Sequence, residues 1–386
     1  MGLLGRVHVW LGCMIVTYFA LLAFLAIPYV QRGLLFLHWV RLPIQADFSQ
    51  PEKYGLAPGQ VRNLYLTTPD GARIGVWHAL PDAVYERHLR NGGSGLGEPL
   101  RLDASSITDE VFEQSLRTHK TVLYAHGNAA SRAKGFRTAI IRGFTRPRSL
   151  EGCRDGLNFV SYDYRGFADS SPASQFPPSE SGLITDAQTV WQWLIRSGSK
   201  PSHIGLVGHS LGTAVTVGLA HRLDSSDLPG PRAVGLIAPF TSLPELLKTY
   251  VLFKVFPILQ PFSFVPRFQD HIIRITLKIH FDTRARLSAL SSNANITILL
   301  IHAKAKIPHS HSHTLFRALH GEDIESRDTT YQTTRLATYG TLYSSNTSLP
   351  HARPRVLYLE AHRGGHNQVG QSETSLRSLA QLICNS

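Results

Sequence analysis

The stretch Ile204–Gly212 reads Ile-Gly-Leu-Val-Gly-His-Ser-Leu-Gly, an apolar run that ends in Gly-x-Ser-x-Gly and continues into a helix-forming segment of small residues. A serine on a sharp strand-to-helix turn stands clear of the sheet edge, and glycines two residues to either side let the backbone crowd there. Backbone N–H groups at the start of the next helix face developing negative charge. The pattern predicts Ser210 as a nucleophile. Because Gly-x-Ser-x-Gly fixes only three residues, it occurs often by chance, and the rest of the chain must support this interpretation.

Length and composition limit the classes of protein that fit this sequence. With 386 residues, 43% of them hydrophobic, the chain can form one large α/β domain or two ordinary ones. The 39 Lys and Arg exceed the 27 Asp and Glu by 12. No zinc-finger spacing, aromatic RNA-binding signature or dense basic helix accompanies this charge, so a nucleic-acid partner is not expected. Cys13, Cys153 and Cys384 are far apart and odd in number, and outline neither a disulfide framework nor a metal site.

The N-terminus carries a long apolar segment. Val9–Val30 contains no charged side chain and is long enough to cross a hydrocarbon core of about 30 Å as a helix. We interpret it as a membrane anchor, with residues 1–41 forming the anchor and a juxtamembrane segment. A cleaved signal peptide and a buried core helix are the alternatives. Arg6 on one side and Arg32 and Arg41 on the other barely discriminate the orientation.

The globular part is expected over residues 55–386. Alternating residues Val61–Leu66 and Ile74–Trp77, separated by Pro69-Asp70-Gly71, predict a β-hairpin. The polar segment of about 82–119 is predicted as a surface insertion with one helix near Asp109–Leu116.

A second glycine loop follows the next predicted strand. Thr121–Ala125 is a short apolar run of the buried-strand type, and it leads into His126-Gly127-Asn128. A glycine there lets the backbone turn its N–H groups toward a nucleophile at the same sheet edge. We therefore predict the N–H groups of Asn128 and Leu211 as oxyanion donors, and interpret His126 as a structural histidine of its own loop.

The order of the remaining motifs resembles a known family. The sequence has a strand at Asn158–Tyr162, then Asp163-Tyr164-Arg165-Gly166-Phe167, a helix over Leu183–Ile195, the serine motif, a strand at Ala233–Ile237, and Ala238-Pro239-Phe240. This series resembles the α/β-hydrolase superfamily, and more narrowly the membrane-anchored group related to monoacylglycerol and lysophosphatidylserine lipases. The resemblance implies a mostly parallel central sheet with flanking helices. It makes Asp163 and Arg165 structural, although Ala168 replaces a glycine that such loops usually carry.

A long insertion follows Phe240. Residues 244–286 contain the apolar run Tyr250–Leu259, and prolines divide the insertion into short pieces. The resemblance implies a cap over the serine at this point, and an apolar cap would line an acyl-chain pocket. Packing as ordinary core is the alternative.

The acid of a catalytic triad is missing where the resemblance places it. The strand Ile296–His302 is followed by Ala303–His313, which contains no Asp or Glu. The histidines at 309, 311 and 313 lack a carboxylate or cysteine partner, so no metal is predicted. Three explanations stay open: a misjoined exon at Lys304–Lys306, a substitute carboxylate such as Glu245, or lost activity.

The base follows the last strand. Arg355–Glu360 leads into a loop with two histidines, and Gly364-Gly365 directly precede His366. Because these glycines permit a close approach to Ser210, we predict His366 as the general base and His362 as a solvated loop residue.

Together these features predict a serine hydrolase, without a cofactor, that cleaves lipid-like carboxylic esters, such as monoacylglycerol or lysophospholipid, at a membrane. A catalytically impaired hydrolase fold and a tailoring esterase or thioesterase are the alternatives. The expected location is a single-pass membrane protein of the endoplasmic reticulum, with the side of the membrane open. Asn346 in Asn-Thr-Ser is the glycosylation candidate, whereas Asn295 abuts a predicted strand. Nothing in the sequence indicates an oligomeric state.

Overall fold

A computed structural model describes residues 2–91, 107–226, 228–252, 256–290, 296–303, 310–320, 331–345 and 355–386. Its helices are α1 (Leu3–Ala26), α2 (Pro28–Phe36), α3 (Asp82–Asn91), α4 (Asp109–Thr118), α5 (Gly135–Thr145), α6 (Glu180–Arg196), α7 (Leu211–Asp224), α8 (Leu243–Thr249), α9 (Pro266–Thr276), α10 (Thr283–Ala289), α11 (Ser310–His320), α12 (Gly365–Gln368) and α13 (Glu373–Cys384). Its strands are β1 (Val61–Thr67), β2 (Arg73–Ala79), β3 (Thr121–Ala125), β4 (Asn158–Tyr162), β5 (Ile204–His209), β6 (Ala233–Ile237), β7 (Val251–Leu252), β8 (Phe256–Pro257), β9 (Thr297–Ala303), β10 (Tyr331–Leu336), β11 (Gly340–Ser345) and β12 (Arg355–Ala361).

One mixed sheet organises the larger part of the chain. Over the described ranges it has ten strands in the order β1-β2-β4-β3-β5-β6-β9-β12-β11-β10. The six central strands, from β4 to β12 in this order, run parallel, and antiparallel strands extend both edges. The predicted hairpin is confirmed, because β1 pairs antiparallel with β2. Parallel strands place their carboxyl ends at one edge, where sites in such sheets form.

Helices cover the sheet closely because glycines remove side chains at the contacts. A Cβ added at Gly205 on β5 would lie 2.4 Å from Ile383 Cγ1, and one at Gly235 on β6 would lie 2.2 Å from Leu379 Cδ2. Both partners belong to α13, which therefore approaches two central strands more closely than a side chain would permit. The runs that read as short apolar strands in the sequence, β3 to β6, are buried along their whole length.

Two segments contain more structure than the sequence predicted. The insertion at 82–119 holds two helices, α3 and α4, and their apolar faces form a small buried cluster with Leu80, which includes Val84, Tyr85, Val111 and Phe112. It is therefore partly core and not only surface. Between α11 and β12, the hairpin of β10 and β11 extends the sheet. Its Thr and Tyr residues on either side of the turn at Ala337–Tyr339 are typical of strands.

The chain divides into two compact units. One consists of residues 1–37 and 242–280, and the other of residues 38–241 and 281–386. The first unit joins the N-terminal helices to most of the predicted cap, so its limits differ from the expected 1–41 and 244–286. Within this unit, the Tyr18 hydroxyl donates to the Ile258 carbonyl at 2.6 Å, and the Phe262 ring lies 5.8 Å from that of Tyr18. The prolines divide the insertion into short elements, as predicted.

The N-terminal helix has the length and apolarity of a membrane span. In the described part of the chain, one helix fits these criteria, over Arg6–Ala26. The apolar stretch seen in the sequence, Val9–Val30, is not one helix, because α1 ends at Ala26 and α2 starts at Pro28. Proline suits the first turn of a helix, where its missing N–H needs no partner, and it ends the preceding one.

The prediction that the cysteines outline no disulfide is wrong. Cys153 and Cys384 form a disulfide with a Cα–Cα distance of 5.8 Å, although 231 positions separate them. Cys384 is at the end of α13, and the fold returns this helix to the segment that follows α5. Cys13, in α1, is free and exposed. Pairing at this sequence separation depends on the complete fold, which spacing does not reveal.

We expect reduction of this disulfide to lower stability. Cross-linking two distant positions restricts the unfolded chain, and loss of a disulfide typically costs about 2–4 kcal/mol. Cys153→Ser should therefore lower the melting temperature, and a maleimide applied without reductant should label one thiol per chain in the denatured wild type. Cys13→Ser is the control, because it should remove that label and leave the melting temperature unchanged. Three labelled thiols would contradict the pairing.

Candidate active site

The predicted nucleophile lies on a strained turn at the carboxyl end of β5. Ser210 has φ 53° and ψ −118°, a backbone conformation that non-glycine residues rarely adopt, and α7 begins at the next residue. Its N–H donates to the carbonyl of Ile237 at the end of β6, at 2.9 Å. The serine is half-buried, while β5 and the first turns of α7 are buried. This is the geometry of a strand-to-helix elbow that presents a hydroxyl above the sheet edge.

The glycines of the motif permit two close approaches. A Cβ on Gly212 would lie 1.9 Å from the carbonyl oxygen of Ala125 on β3, and one on Gly208 would lie 2.4 Å from that of Gly212. Both distances are far inside van der Waals contact with backbone atoms, which cannot move aside cheaply. The helix therefore begins directly against the neighbouring strand, and any side chain at these positions would displace Ser210.

The predicted oxyanion loop is next to the serine. At Gly127, the position of a Cβ is 3.3 Å from Ser210 Cβ and 3.3 Å from the His209 carbonyl oxygen. The neighbouring Asn128 is exposed, whereas Leu211 is buried at the start of α7. The structure thus brings together the loop after β3 and the turn after β5, the two segments that the sequence predicted as the source of oxyanion donors.

A buried ionic cluster supports that loop from behind. Asp163 accepts from the Arg132 N–H at 2.9 Å and from Arg132 Nη1 at 2.5 Å, and His126 Nε2 lies 3.1 Å from the same carboxylate. Burial would raise the pKa of Asp163, but the charge of Arg132 and the bond to His126 outweigh it and lower the pKa. His126 Nδ1 contacts the Gly127 carbonyl at 2.7 Å. His126 is thus placed as a structural residue of its own loop.

A second ionic group holds the loop that begins at Asp163. The Arg165 side chain donates to Asp186 Oδ1 through Nε at 2.9 Å and to Asp70 Oδ2 through Nη1 at 2.5 Å. Burial raises the pKa of Asp186 to about 6 against the opposing charge of Arg165. The loop is anchored to α6 and to the β1–β2 turn, so Arg165 contributes to the scaffold.

The structure distinguishes the two histidines after β12. His209, which precedes the serine, donates from Nε2 to the carbonyl of His366 at 2.9 Å, and the two rings are 5.3 Å apart between centroids. Gly364 and Gly365 have φ 116° and 55°, the left-handed conformations that bring the chain back to this point. His362 is exposed, and its N–H donates to the Tyr339 carbonyl. His366, not His362, is therefore placed beside the elbow.

His209 is itself uncharged. Burial, assisted by the nearby His366, lowers its pKa to about 3. The bond to the His366 carbonyl requires a proton on Nε2 of His209, since a carbonyl oxygen only accepts, and in the neutral ring this is the Nε2–H tautomer. His209 thus positions the backbone of His366 as an uncharged donor.

Comparisons with known proteins place this site in a family. Over 304 residues the chain is 30% identical to the lysophosphatidylserine lipase ABHD12 of Danio rerio, covering 78% of this chain and 68% of that protein. Over 314 residues it is 31% identical to the Gallus gallus protein of the same name, covering 78% and 71%. The chain belongs to the lysophosphatidylserine lipase family of α/β-hydrolases. This confirms the resemblance noted in the sequence and makes the protein a serine ester hydrolase.

Other comparisons agree on the fold. The Xenopus tropicalis lysophosphatidylserine lipase ABHD12 is 33% identical over 262 residues, which are 66% of this chain and 59% of that protein. A solved puromycin-hydrolyzing peptidase of Mycobacterium tuberculosis is 13% identical with a TM-score of 0.50, covering 84% of this chain and 40% of its own, and shows the fold alone. No protein-family profile matches the sequence. About two fifths of the Xenopus protein, and smaller parts of the other two lipases, have no counterpart in the aligned part of this chain. The substrate in their names is therefore a statement about those proteins only.

The position expected for the family's acid lies partly outside the described residues, which omit 304–309 and with them Lys304–Lys306 and His309. On the described side, His311 Nδ1 is 2.9 Å from the Thr241 hydroxyl, and His302 Nδ1 is 2.6 Å from that of Ser312. Glu245, the weak candidate, is in the first turn of α8 with a half-exposed side chain and an ion pair to Lys248 at 2.6 Å. Across the described ranges, no group of three or more His, Cys, Asp or Glu is arranged to hold a metal ion.

Sequence reasoning missed three residues of this site, Arg132, Arg137 and His209. Both arginines are buried beside the loop after β3, although arginine patterns ordinarily predict a solvated surface. The sequence offered one weak indication of their burial. Both arginines come within ten residues after His126-Gly127-Asn128, the loop that follows the buried strand β3. His209 was visible only as the variable position of the serine motif.

The two histidines after β12 provide a direct test. Loss of a general base should lower kcat by about 10³-fold or more, so His366→Ala should nearly abolish hydrolysis of p-nitrophenyl butyrate and slow labelling by a fluorophosphonate probe. His362→Ala is the matched control in the same loop, with activity expected within about threefold of wild type, as for most surface changes. If His362→Ala is the variant that loses activity, the assignment of the base is wrong.

Proposed function

We propose that this protein is a membrane-anchored serine lipase that hydrolyses the acyl ester of a single-chain lipid, either a lysophospholipid or a monoacylglycerol. The observation that carries this proposal is the strained elbow at Ser210, with the Gly127 loop next to it and the His366 carbonyl bonded to the neighbouring His209. The names of the family relatives and the N-terminal apolar helix support a lipid substrate over a soluble one.

In the proposed reaction, His366 accepts the proton of Ser210 as the serine oxygen attacks the ester carbonyl. The N–H groups of Asn128 and Leu211 bind the oxyanion that forms. The carbon–oxygen bond to the glycerol breaks, and His366 gives the proton to the departing alkoxide oxygen, which leaves as a hydroxyl. Water then attacks the acyl-serine in the same way, which releases a fatty acid and restores Ser210.

We propose that the segment after β9 does not supply the acid of the triad in this chain. The sequence between β9 and α11 has no Asp or Glu, and Glu245 forms an ion pair with Lys248. Losing the acid of a triad costs about 10⁴ in rate, or about 5–6 kcal/mol, while the oxyanion donors keep a substantial part of the acceleration. If no other carboxylate takes its place, a slow hydrolase is the expected result.

The unit formed by residues 1–37 and 242–280 supports contact with lipid. Apolar side chains are exposed at both ends of α9, with Phe264 before its start at 82% and Ile275 in its last turn at 56% of full exposure. Phe262, in the same stretch, packs on Tyr18 and Phe19 of the apolar α1. Tyr18 is eight residues before the end of α1, about 12 Å along the helix axis. If α1 crosses the membrane, this part of the insertion lies at the depth of the acyl chains.

The lipid preference predicts a dependence on acyl length. Each buried methylene contributes about 0.8 kcal/mol, so kcat/KM for lysophosphatidylserine should rise by about fourfold per added CH₂ until the pocket is filled. The measurement is fatty-acid release from a C6 to C18 series presented below the critical micelle concentration. Ser210→Ala should lose both this activity and fluorophosphonate labelling.

Two outcomes would count against the proposal in different ways. Equal labelling of wild type and Ser210→Ala would remove the serine hydrolase mechanism. Labelling of wild type alone, with kcat/KM independent of chain length, would keep the mechanism but favour an esterase or thioesterase of small metabolites.

We further propose that the hydrolase domain faces an oxidising compartment, such as the lumen of the endoplasmic reticulum. Disulfides persist in such compartments and are rare in the cytosol, and Cys153–Cys384 joins two distant parts of this domain. The glycosylation candidate Asn346 lies outside the described residues. Its position in the chain, beyond α11 and before β12, puts it in the same domain as the disulfide.

Glycosylation tests this orientation. In microsomes, treatment with an endoglycosidase should shift the mobility of the full chain, and Asn346→Gln should abolish the shift. Asn295→Gln is the control, because Ile296 is buried and Thr297 begins β9, which blocks the second site. Absence of a glycan together with three free thiols in the isolated protein would place the domain in the cytosol.

A further inference from the structure

Arg137 on α5 is a buried cation with an unusual set of partners. Its side chain is 3% exposed, and within the described ranges its hydrogen bonds go to backbone carbonyls instead of a carboxylate. Nη2 donates to Gly127 at 3.1 Å and to Ala129 at 2.8 Å, and Nη1 donates to Ser131 at 2.9 Å. Burial lowers the pKa of Arg137. The charge of Asp163 partly offsets this effect. Burying a guanidinium whose hydrogen bonds go to carbonyls and not to a carboxylate is still costly, so a specific role is expected to retain it.

The bonds of Arg137 determine the direction of the amides in the loop. In a trans peptide the C=O and the following N–H point in opposite directions. Arg137 holds the carbonyls of Gly127 and, at 3.4 Å, Asn128, so the next N–H groups are turned away from α5. The N–H that follows the Gly127 carbonyl belongs to Asn128, the proposed oxyanion donor, and a Cβ at Gly127 would lie 3.3 Å from Ser210 Cβ.

This loop conformation needs external support. Ala129 and Ala130 have φ 58° and 56°, the left-handed region that disfavours residues with a side chain. Each such residue costs about 1 kcal/mol or more, and two in succession persist only where surrounding contacts define them. Arg137 provides those contacts on one side.

The segment that follows the N-terminal helices provides contacts on the other side. The N–H of Ala130 donates to the Val40 carbonyl at 2.8 Å, and the N–H and hydroxyl of Ser131 donate to that of Leu42 at 3.0 and 2.9 Å. Val40 and Leu42 come shortly after α2, which ends at Phe36. The loop is therefore clamped between a buried cation and the chain that leads from the anchor.

We propose that Arg137 is the positioning residue of the oxyanion hole, and that the carbonyls of Val40 and Leu42 complete the clamp. The clamp directs the Asn128 N–H toward the oxyanion, and the positive charge behind the loop favours the negative transition state. The inference rests on the proposed reaction at Ser210. It makes the juxtamembrane segment a part of the active-site scaffold in addition to a tether.

The test compares Arg137→Met and Arg137→Lys with Arg142→Met in the full chain. Arg142 is the matched control, since it lies on the same helix and donates to the Gly55 carbonyl at 2.8 Å, away from the loop. Loss of one oxyanion donor lowers kcat by about 10²–10³-fold, and we expect this for Arg137→Met with KM changed by less than about threefold. Lysine should restore part of kcat, because it keeps the charge but not the forked geometry. Arg142→Met should match wild type.

Inhibitor binding separates positioning from general damage. A trifluoromethyl ketone with a long acyl chain forms a tetrahedral oxyanion on serine, whereas an ether analogue of the lysolipid only fills the substrate site. Arg137→Met should weaken the ketone by the same factor as kcat and leave the ether unchanged. Equal weakening of both inhibitors, or an unchanged kcat in the folded variant, would overturn the proposal.

Two further measurements keep the result decisive. If Arg137→Met does not fold, Ser131→Ala tests the other side of the clamp, because it removes one bond to Leu42; kcat and ketone affinity should fall together by about threefold to tenfold, the size of one neutral hydrogen bond. No change in either kcat or ketone affinity would overturn the clamp.

If wild-type Ser210 itself resists a fluorophosphonate, the proposed function fails. A labelled wild type together with an unaffected Arg137→Met refutes the positioning role alone.

Discussion

The site depends on one close approach, that of the first turn of α7 to the end of β3. Only a hydrogen at position 212 fits there, since a Cβ on Gly212 would meet the Ala125 carbonyl at 1.9 Å. This contact sets the distance between β3 and the elbow, and hence between the loop after β3 and Ser210. The strained positive φ of Ser210 accompanies this approach, because the chain must change from strand to helix in the space of one residue.

Buried charges hold the loops around this contact. Asp163 joins Arg132 and His126, and Arg165 joins Asp186 and Asp70, so the ends of β3 and β4 are linked by ionic groups beneath the site. Breaking a buried pair by removing one partner typically costs about 3–5 kcal/mol, because the remaining charge is left without a partner. Arg137 differs from these residues in that backbone carbonyls are its partners, which couples the cation to the direction of individual amides.

The fold and part of the site could be predicted from short stretches of sequence. The strands β3 to β6 appear as apolar runs of five or six residues, and the serine motif, His126-Gly127 and Gly364-Gly365 identify the turns that follow strands. The hairpin of β10 and β11, the apolar contacts of α3 and α4, and the break between α1 and α2 were missed or misjudged. In the hairpin and in α3 and α4, packing against the rest of the chain outweighed the local polarity of the sequence. Between α1 and α2, Pro28 outweighed the continuous apolar run.

The sequence by itself determined the central strands and the elbow, because these depend on periodicity and on glycines within a few residues. The resemblance of the ordered motifs to α/β-hydrolases implied the family and the mostly parallel sheet. Only the tertiary structure decided that Cys153 meets Cys384, that His209 donates to the carbonyl of His366, and that Arg137 faces the carbonyls of the loop after β3. Each of these contacts joins residues from different elements. Their partners are selected by the path of the backbone through space, which no local pattern of residue types records.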